Sequence, residues 1–308
     1  MDFYKNKNCI VTGGAGFIGQ NIVKGLIESK ANVFVVDNFS YGATRSNVPE
    51  GAQTFEGDVR SKSSFSQLPA IKYDVLFHFA APSSIILFKR NAHECAEVTT
   101  FGFLNALDFA LKNKISLIYP STGSLYSGAN LPNSEQAELK TAEVNSYANN
   151  KLALESLARM FRKEIKILGL RIFAGYGPSE KHKGEFASVL YSFCEKMYKG
   201  EPPEIWGDGT QERDFVYIDD VVSAILTLVQ DCDEGVTNIG SGKSVSFNQV
   251  IAEINKVLSR KVDPVYIPKP NLYLERTLSD NSLLKKYYAI DPTPLATGIS
   301  NIIKSFGK

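Results

Sequence analysis

Short apolar runs alternate with stretches whose apolar residues recur every three or four positions up to about residue 174. The runs near 8–12, 32–37, 52–56, 74–79, 115–120 and 166–173 predict strands, and the stretches near 17–29, 61–68, 91–112 and 146–164 predict helices. In the first helical stretch Phe17, Ile18, Ile22, Val23, Leu26 and Ile27 carry the spacing. Strands and helices in strict alternation predict an α/β fold, a doubly wound parallel sheet covered by helices on both faces. The expected strand order is 3-2-1-4-5-6, with ligands held beyond the carboxyl ends of the strands where the order reverses.

After about residue 174 the alternation stops. Gly175, Gly177 and Pro178 precede a charged loop, Glu180-Lys181-His182-Lys183-Gly184-Glu185, and a helix-like run to Tyr198, and prolines cluster at 264, 268, 270, 292 and 294. The pattern predicts a main domain over 1–174, to which 210–240 returns with a helix near 219–230. A smaller carboxyl-terminal part, 175–209 and 241–308, is expected to bind the substrate. The stretches 91–112 and 146–164 are apolar on more than one face, through Val98, Phe101, Leu104 and Leu107, then Leu152, Leu154, Leu157 and Phe161. Such helices are buried on several sides, either deep within one subunit or against a second copy, and a twofold homodimer is the expectation.

The composition narrows the function classes. With 308 residues, 44% of them hydrophobic and 22% charged, the chain is long enough for a full core, and a net charge of +1 offers no electrostatic case for nucleic acid or an anionic membrane. No apolar run approaches the roughly 18–20 residues of a membrane span, and residues 1–8 hold no apolar signal core, so a cytoplasmic location is expected. Cys9, Cys95, Cys194 and Cys232 lie far apart, and His78, His93 and His182 form no ligand cluster, so neither disulfide nor metal is expected. His78, inside an apolar strand, reads as a core histidine.

The first strand runs into Gly13-Gly14-Ala15-Gly16-Phe17-Ile18-Gly19, readable as Gly14-x-Gly16-x-x-Gly19 or Gly13-x-x-Gly16-x-x-Gly19. A glycine turn opening a helix brings backbone close to a diphosphate, which meets unpaired N–H groups and the positive end of the helix dipole. The second strand ends in Asp37, about 20 positions on, where a carboxylate can accept both ribose hydroxyls and would repel a 2′-phosphate. The expected cofactor is NAD rather than NADP. The third strand ends in Asp58-Val59, with Asp58 expected near the adenine. The fourth ends in Ala80-Ala81, where bulk would clash with the dinucleotide.

The strand near 115–120 ends in Ser121-Thr122, placing a hydroxyl at the carboxyl edge of the sheet. Tyr147 and Lys151 lie at i and i+4 of a helical stretch and share a face. An ammonium nearby favours the phenolate, so the tyrosine is expected to exchange protons nearer neutral pH than its reference value of about 10 allows. Beside a nicotinamide it can take a proton from a sugar alcohol.

The motifs VTGGAGFIG at 11–19, VVDNFSYG at 35–42, GDVR at 57–60, HFAA at 78–81, STGSLY at 121–126, YxxxK at 147–151, LRIFAGYGP at 170–178 and IWGDGTQERDFVYIDD at 205–220 stand in one order. In that order the chain resembles the extended short-chain dehydrogenases/reductases, specifically the NAD-dependent sugar-nucleotide epimerase/dehydratase family typified by UDP-glucose 4-epimerase. The resemblance implies a Rossmann-type fold and a nucleotide-diphosphate sugar as substrate. It further implies that Gly13, Gly16, Phe17, Ile18, Gly19, Asp37, Asn38, Asp58, Val59, Ala80 and Ala81 hold the cofactor. Thr122 would bond the hydroxyl being oxidised, Tyr147 would be the acid/base, and Lys151 would hold the nicotinamide ribose and tune Tyr147. Ser83, Arg213, Arg276 and Thr277 would meet the substrate, Arg213 gripping the diphosphate with a donor fork suited to phosphate oxygens. For Arg213 a surface pair with Asp214 or Glu212 is the alternative.

The reaction implied is C4 epimerisation, with transient oxidation to a 4-keto sugar. Family dehydratases place Asp-Glu after the threonine, whereas this chain has Gly123-Ser124, neither of which supplies a carboxylate. A reductase, dehydratase or decarboxylase on the same fold, and a non-catalytic NAD-binding regulatory module, remain as alternatives. Ala174 and Thr99 stand where the family commonly has Asn. Thr277, small at a position that limits bulk on the sugar, suggests tolerance of a larger substituent such as an N-acetylated or uronic acid sugar.

Overall fold

The computed structural model describes residues 2–140, 145–269, 273–289 and 291–307, so Pro270 of the proline cluster lies outside the described residues. Two compact units emerge, Met1–Thr122 with Asn145–Arg171 and Val222–Thr237, and Gly123–Val144 with Ile172–Val221 and Asn238–Lys308. The strands are β1 (Asn8–Thr12), β2 (Asn32–Asp37), β3 (Gln53–Glu56), β4 (Val75–His78), β5 (Ser116–Thr122), β6 (Ile167–Ile172), β7 (Ala174–Tyr176), β8 (Glu204–Trp206), β9 (Glu212–Tyr217), β10 (Val236–Ile239), β11 (Ser244–Ser246) and β12 (Val265–Ile267). The helices are α1 (Phe17–Glu28), α2 (Ser63–Ser66), α3 (Ile85–Arg90), α4 (Ala92–Asn113), α5 (Ser146–Phe161), α6 (Val189–Tyr198), α7 (Ile218–Asp231), α8 (Phe247–Leu258), α9 (Leu284–Tyr287) and α10 (Leu295–Phe306).

The first unit is built on a seven-stranded sheet in the order β10-β6-β5-β4-β1-β2-β3, the expected order with β10 added outside β6. Pairings β1–β2, β1–β4, β2–β3 and β4–β5 are parallel. Because both faces of this sheet are covered, its inner strands read as apolar runs rather than alternating, while the edge strand β3 is more polar. Ile10, Phe34, Val36 and Leu76 join Phe103, Ala106 and Leu107 of α4 and Leu154 and Ala158 of α5 in one core. On the other face Val35 and Val23 crowd Gly14, and α1 meets α7 where Gly25 lies against Leu226 and Val222. Each Val, Leu, Ile or Phe side chain among these contributes about 1.5–3 kcal/mol when taken from water.

In the first unit the predicted elements fall within a few residues of the observed ones, with two omissions, α3 and the sheet-edge strand β10. α3 is too short for a periodic signal and is marked only by Ser84, whose hydroxyl caps Ile86 N at 3.1 Å.

The second unit holds a three-stranded sheet, β11-β9-β7, and a parallel pair, β12-β8. β9 runs antiparallel to β11 and parallel to β7. Helices α6, α8 and α10 pack together, with rings meeting at Phe193–Phe247 (5.7 Å) and Tyr191–Phe306 (5.4 Å). The expected boundaries shift here. Of 210–240 only 222–237 belongs to the first unit, because β9 pairs with β7 and β11 instead of the central sheet. Residues 123–144 join the second unit, where Tyr126 Oη donates to Asn238 Oδ1 at 2.7 Å.

Candidate active site

The glycine turn is shaped by what surrounds it. Gly13 has φ +71°, and a Cβ there would lie 2.6 Å from Ala80 N, in the backbone leaving β4. A Cβ on Gly19 would fall 2.0 Å from Gly13 O, so α1 approaches the turn as only glycine permits. Gly16 is the N-cap of α1 and brings no capping side chain, and the first turn of α1 holds no acidic residue. A cradle lined by main chain at a helix N-terminus suits a diphosphate, so these residues fit NAD. Phe17 is buried behind the turn, while Gly13, Gly16 and Ile18 are partly exposed.

Asp37 does more than the sequence predicts. Its Oδ2 accepts from Ala15 N at 2.9 Å and its Oδ1 from Phe39 N at 2.8 Å, so the carboxylate expected to meet ribose hydroxyls also ties the glycine turn to the end of β2. Asn38 is exposed, with its amide 3.5 Å from Asp58 Oδ2. Asp58 is held by Arg60, whose Nη2 donates to Oδ2 at 2.6 Å, and this guanidinium keeps the carboxyl below its usual range. Val59 is buried, and its carbonyl accepts from Asn105 Nδ2 at 2.9 Å, locking the end of β3 to α4. Ala80 and Ala81 are partly exposed beyond β4, and Ser83 is exposed just ahead of α3.

Helix α5 begins at an Asn145 cap, whose Oδ1 accepts from Ala148 N at 3.0 Å. That sets Tyr147 in the first turn and Lys151 one turn on. The Tyr147 phenol hydrogen-bonds with the Thr122 hydroxyl at the end of β5, and the edge of its ring meets Phe88 at 5.6 Å. The structure therefore brings Thr122, Tyr147 and Lys151 together. It corrects their electrostatics, however. Burial raises the Tyr147 pKa above its ordinary value, opposed by the Thr122 bond, rather than Lys151 lowering it. Lys151 is 2% exposed and burial pulls its ammonium down to about 8.

His78 is the expected core residue, its Nδ1 2.8 Å from Thr12 Oγ1 and its pKa driven down to about 3 by burial and then by Lys151. Its folded pKa lies below its unfolded value of about 6.5, so the unfolded state binds a proton that the folded state refuses. Stability is full above 6.5 and falls by about 1.4 kcal/mol per pH unit as pH drops toward 3. Thermal melting followed between pH 6.5 and 4 should show a shallower acid slope in His78→Leu than in the parent chain, and equal slopes would refute the assignment.

In the second unit Arg213 is not the surface pair with Asp214 or Glu212 that stood as its alternative. Its Nη1 donates to the carbonyls of Glu212 (2.8 Å) and Glu275 (3.3 Å), and its guanidinium lies 5.5 Å from the Phe247 ring and 5.2 Å from Tyr273. A cation held by carbonyls and ring faces keeps donors for an anion. Arg276 Nε lies 2.6 Å from Glu212 Oε2, half exposed, so a phosphate there would compete with that carboxylate. Thr277 is 4% exposed, its hydroxyl accepting from Asp214 N at 3.1 Å. Its side chain thus also serves the backbone of β9.

Two arrangements went unread in the sequence. Asp214, fully buried, takes five donors: Ser241 N and Oγ on Oδ1, and Gly242 N with Ser279 N and Oγ on Oδ2. Glu155 of α5 joins Ser121 of β5 and Arg171 of β6. The available signals were an acid directly before the apolar run Phe215-Val216-Tyr217, and an acid one turn after Lys151 together with an arginine within β6, since charges in such places need partners.

The NAD dependent epimerase/dehydratase family model matches residues 9–240. A protein of Methanocaldococcus jannaschii described as a putative UDP-glucose 4-epimerase is 32% identical over 262 residues, covering 83% of this chain and 84% of that one. A UDP-N-acetyl-alpha-D-glucosaminuronate decarboxylase of Bacillus cytotoxicus is 30% identical over 279 residues, covering 87% and 85%. The solved UDP-glucose 4-epimerase of Thermotoga maritima with UDP-glucose superposes with a TM-score of 0.89 at 30% identity, covering 97% of this chain and 98% of that one. A match to the family model that takes in the glycine turn, the Tyr147–Lys151 helix and β9 alike makes this chain an enzyme of the NAD-dependent epimerase/dehydratase family, with NAD as its cofactor.

Proposed function

We propose that the enzyme epimerises a nucleotide-diphosphate sugar at C4. The observation that carries this is the hydrogen-bonded Thr122–Tyr147 pair beside a buried Lys151, followed by Gly123-Ser124 with no carboxylate. NAD, when bound at the glycine turn, supplies a reversible two-electron acceptor. The chain's own groups handle protons and position. Thr122 orients the sugar hydroxyl, Tyr147 Oη takes its proton and later returns it, and Lys151 is the cation that holds the ribose. Arg213 binds the diphosphate, which leaves the sugar free to present either face. Neither Gly123 nor Ser124 supplies a carboxyl group to handle the further proton that loss of water requires.

The test is to incubate the purified protein, without added cofactor, with UDP-, dTDP-, CDP- and GDP-sugars, including N-acetylated and uronic acid forms, and to resolve products by NMR. Interconversion of C4 epimers supports the proposal. Loss of carbon dioxide from a uronic acid sugar, the reaction named for the Bacillus cytotoxicus relative, would replace it with decarboxylation; stoichiometric cofactor consumption would make the enzyme a reductase. Turnover that persisted in Tyr147→Phe would leave the reacting pair without a role.

The same proposal includes a homodimer. Phe101 of α4 is 53% exposed and Met160 of α5 is 73% exposed, on the two helices expected to be apolar on several sides. Sedimentation should give twice the 33.9 kDa chain mass, and Phe101→Glu should shift it toward one chain. A parent chain that sediments as a monomer at micromolar concentration sinks this part.

A further inference from the structure

Behind the reacting pair lies a buried polar cluster to which the proposed chemistry assigns no part. Ser121 Oγ donates to Glu155 Oε1 at 2.5 Å. Arg171 grips the same carboxylate with two donors, Nε to Oε1 at 3.0 Å and Nη2 to Oε2 at 2.7 Å. The Arg171 and Glu155 side chains are 6% and 8% exposed. One residue of β5, one of α5 and one of β6 are thereby joined at a single carboxylate.

We propose that this Ser121–Glu155–Arg171 clamp positions the Thr122–Tyr147 pair, resting on the reading of that pair as the reacting groups. Its connectivity forms a closed circuit. Thr122 is the peptide neighbour of Ser121; Ser121 is bonded to Glu155; Glu155 lies one turn beyond Lys151 and two beyond Tyr147; Tyr147 bonds back to Thr122. Along α5 the path from Tyr147 to Glu155 is about 12 Å of helix at 1.5 Å per residue. Rotation or sliding of α5 therefore breaks the clamp and moves the phenol from its partner together. Arg171 adds direction, because two parallel donors fix the plane of a carboxylate where one would leave it free to turn.

Stability alone does not account for the device. Burying two charges costs desolvation that their attraction only partly returns, and apolar residues of similar volume often serve a fold as well. What an apolar filler cannot do is fix the helix to a strand end at hydrogen-bond precision. Ser121, Glu155 and Arg171 are positioning residues, acting through Thr122 and Tyr147.

The test compares Ser121→Ala, which removes one arm, with the double variant Glu155→Leu/Arg171→Met, which removes both charges and strands neither. Protein labelled with 3-fluorotyrosine reports on Tyr147 by fluorine NMR, the signal assigned by its loss in Tyr147→Phe. The expected result in folded variants is a displaced Tyr147 signal with its titration moved by at least half a pH unit. kcat should fall about 10- to 100-fold in the double variant and a few-fold in Ser121→Ala, with KM for the nucleotide sugar within twofold. Folded variants whose Tyr147 signal, titration and kcat match the parent would overturn the proposal, and if the double variant does not fold, Ser121→Ala decides by itself. If no nucleotide sugar is turned over by the parent, the proposed function fails, while the fluorine signal still decides the clamp.

Discussion

Tyr147→Phe is expected to lower turnover of the nucleotide sugar by about 10³-fold, within the range that removal of a positioned acid/base produces. The substitution deletes one oxygen and keeps the ring, so the edge contact with Phe88 persists and the helix start capped by Asn145 is undisturbed. Binding of NAD and of the nucleotide diphosphate should be retained, because the glycine turn and Arg213 take no support from the phenol. The pH dependence should change with the rate. Burial holds the Tyr147 pKa above its ordinary value, so the base form is a minority at neutral pH and grows tenfold per unit as pH rises. In the parent, kcat/KM should climb from pH 6 and then break near pH 8, where Lys151, the cation proposed to hold the ribose, loses its charge. In Tyr147→Phe the climb should vanish. A variant with turnover within tenfold of the parent and an unchanged profile would remove Tyr147 from the reaction.

Lys151→Met is expected to abolish turnover, by at least about 10²-fold, and at the same time to stabilise the fold. The folded pKa, about 8, lies below the unfolded value of about 10.5, so the folded state disfavours the ammonium. Between pH 8 and 10.5 the unfolded chain keeps a proton that the folded chain releases, and stability therefore rises with pH through that window. Below pH 8 both states carry the charge and the penalty is full and constant, about 3–4 kcal/mol at about 1.4 kcal/mol per unit. Methionine fills a similar volume without charge, and at pH 7 should raise the melting temperature by roughly 4–8 °C. Above about pH 10.5 the two proteins should melt together. A melting temperature below that of the parent at pH 7 would mean that the ammonium is compensated in the fold. An opposition between rate and stability would mark a residue kept for chemistry, since among the described residues burial is the one cause that shifts the Lys151 ammonium, and an uncompensated buried cation is a cost to the fold.

The local order of apolar runs, glycines and Pro/Gly breaks was enough to place β1 to β6 of the main sheet, the turn at Gly13–Gly19 and the Tyr147–Lys151 stripe, but not β10. These depend on contacts between chain neighbours and on a burial pattern that period alone records. Thr122 could be placed at a strand end for the same reason. The boundary between the two units could not, because the pairing of β9 with β7 and β11 is settled by strands distant in the chain.

The roles of individual charged and polar side chains were decided by tertiary structure. Asp37 turned out to brace the glycine turn, and Arg276 to face Glu212. Thr277 was drawn into the backbone of β9, and the phenol of Tyr147 was raised rather than lowered. In each case the deciding quantity is how much water is removed and which polar groups replace it, and those groups come from elements folded in from elsewhere along the chain. The sequence by itself determined which reaction family this chain can serve, through short motifs whose spacing is local geometry. Only the tertiary structure decided how α5, the helix of Tyr147 and Lys151, is held, because a carboxylate shared by Ser121 and Arg171 exists as a clamp only once β5, α5 and β6 lie side by side and exclude water.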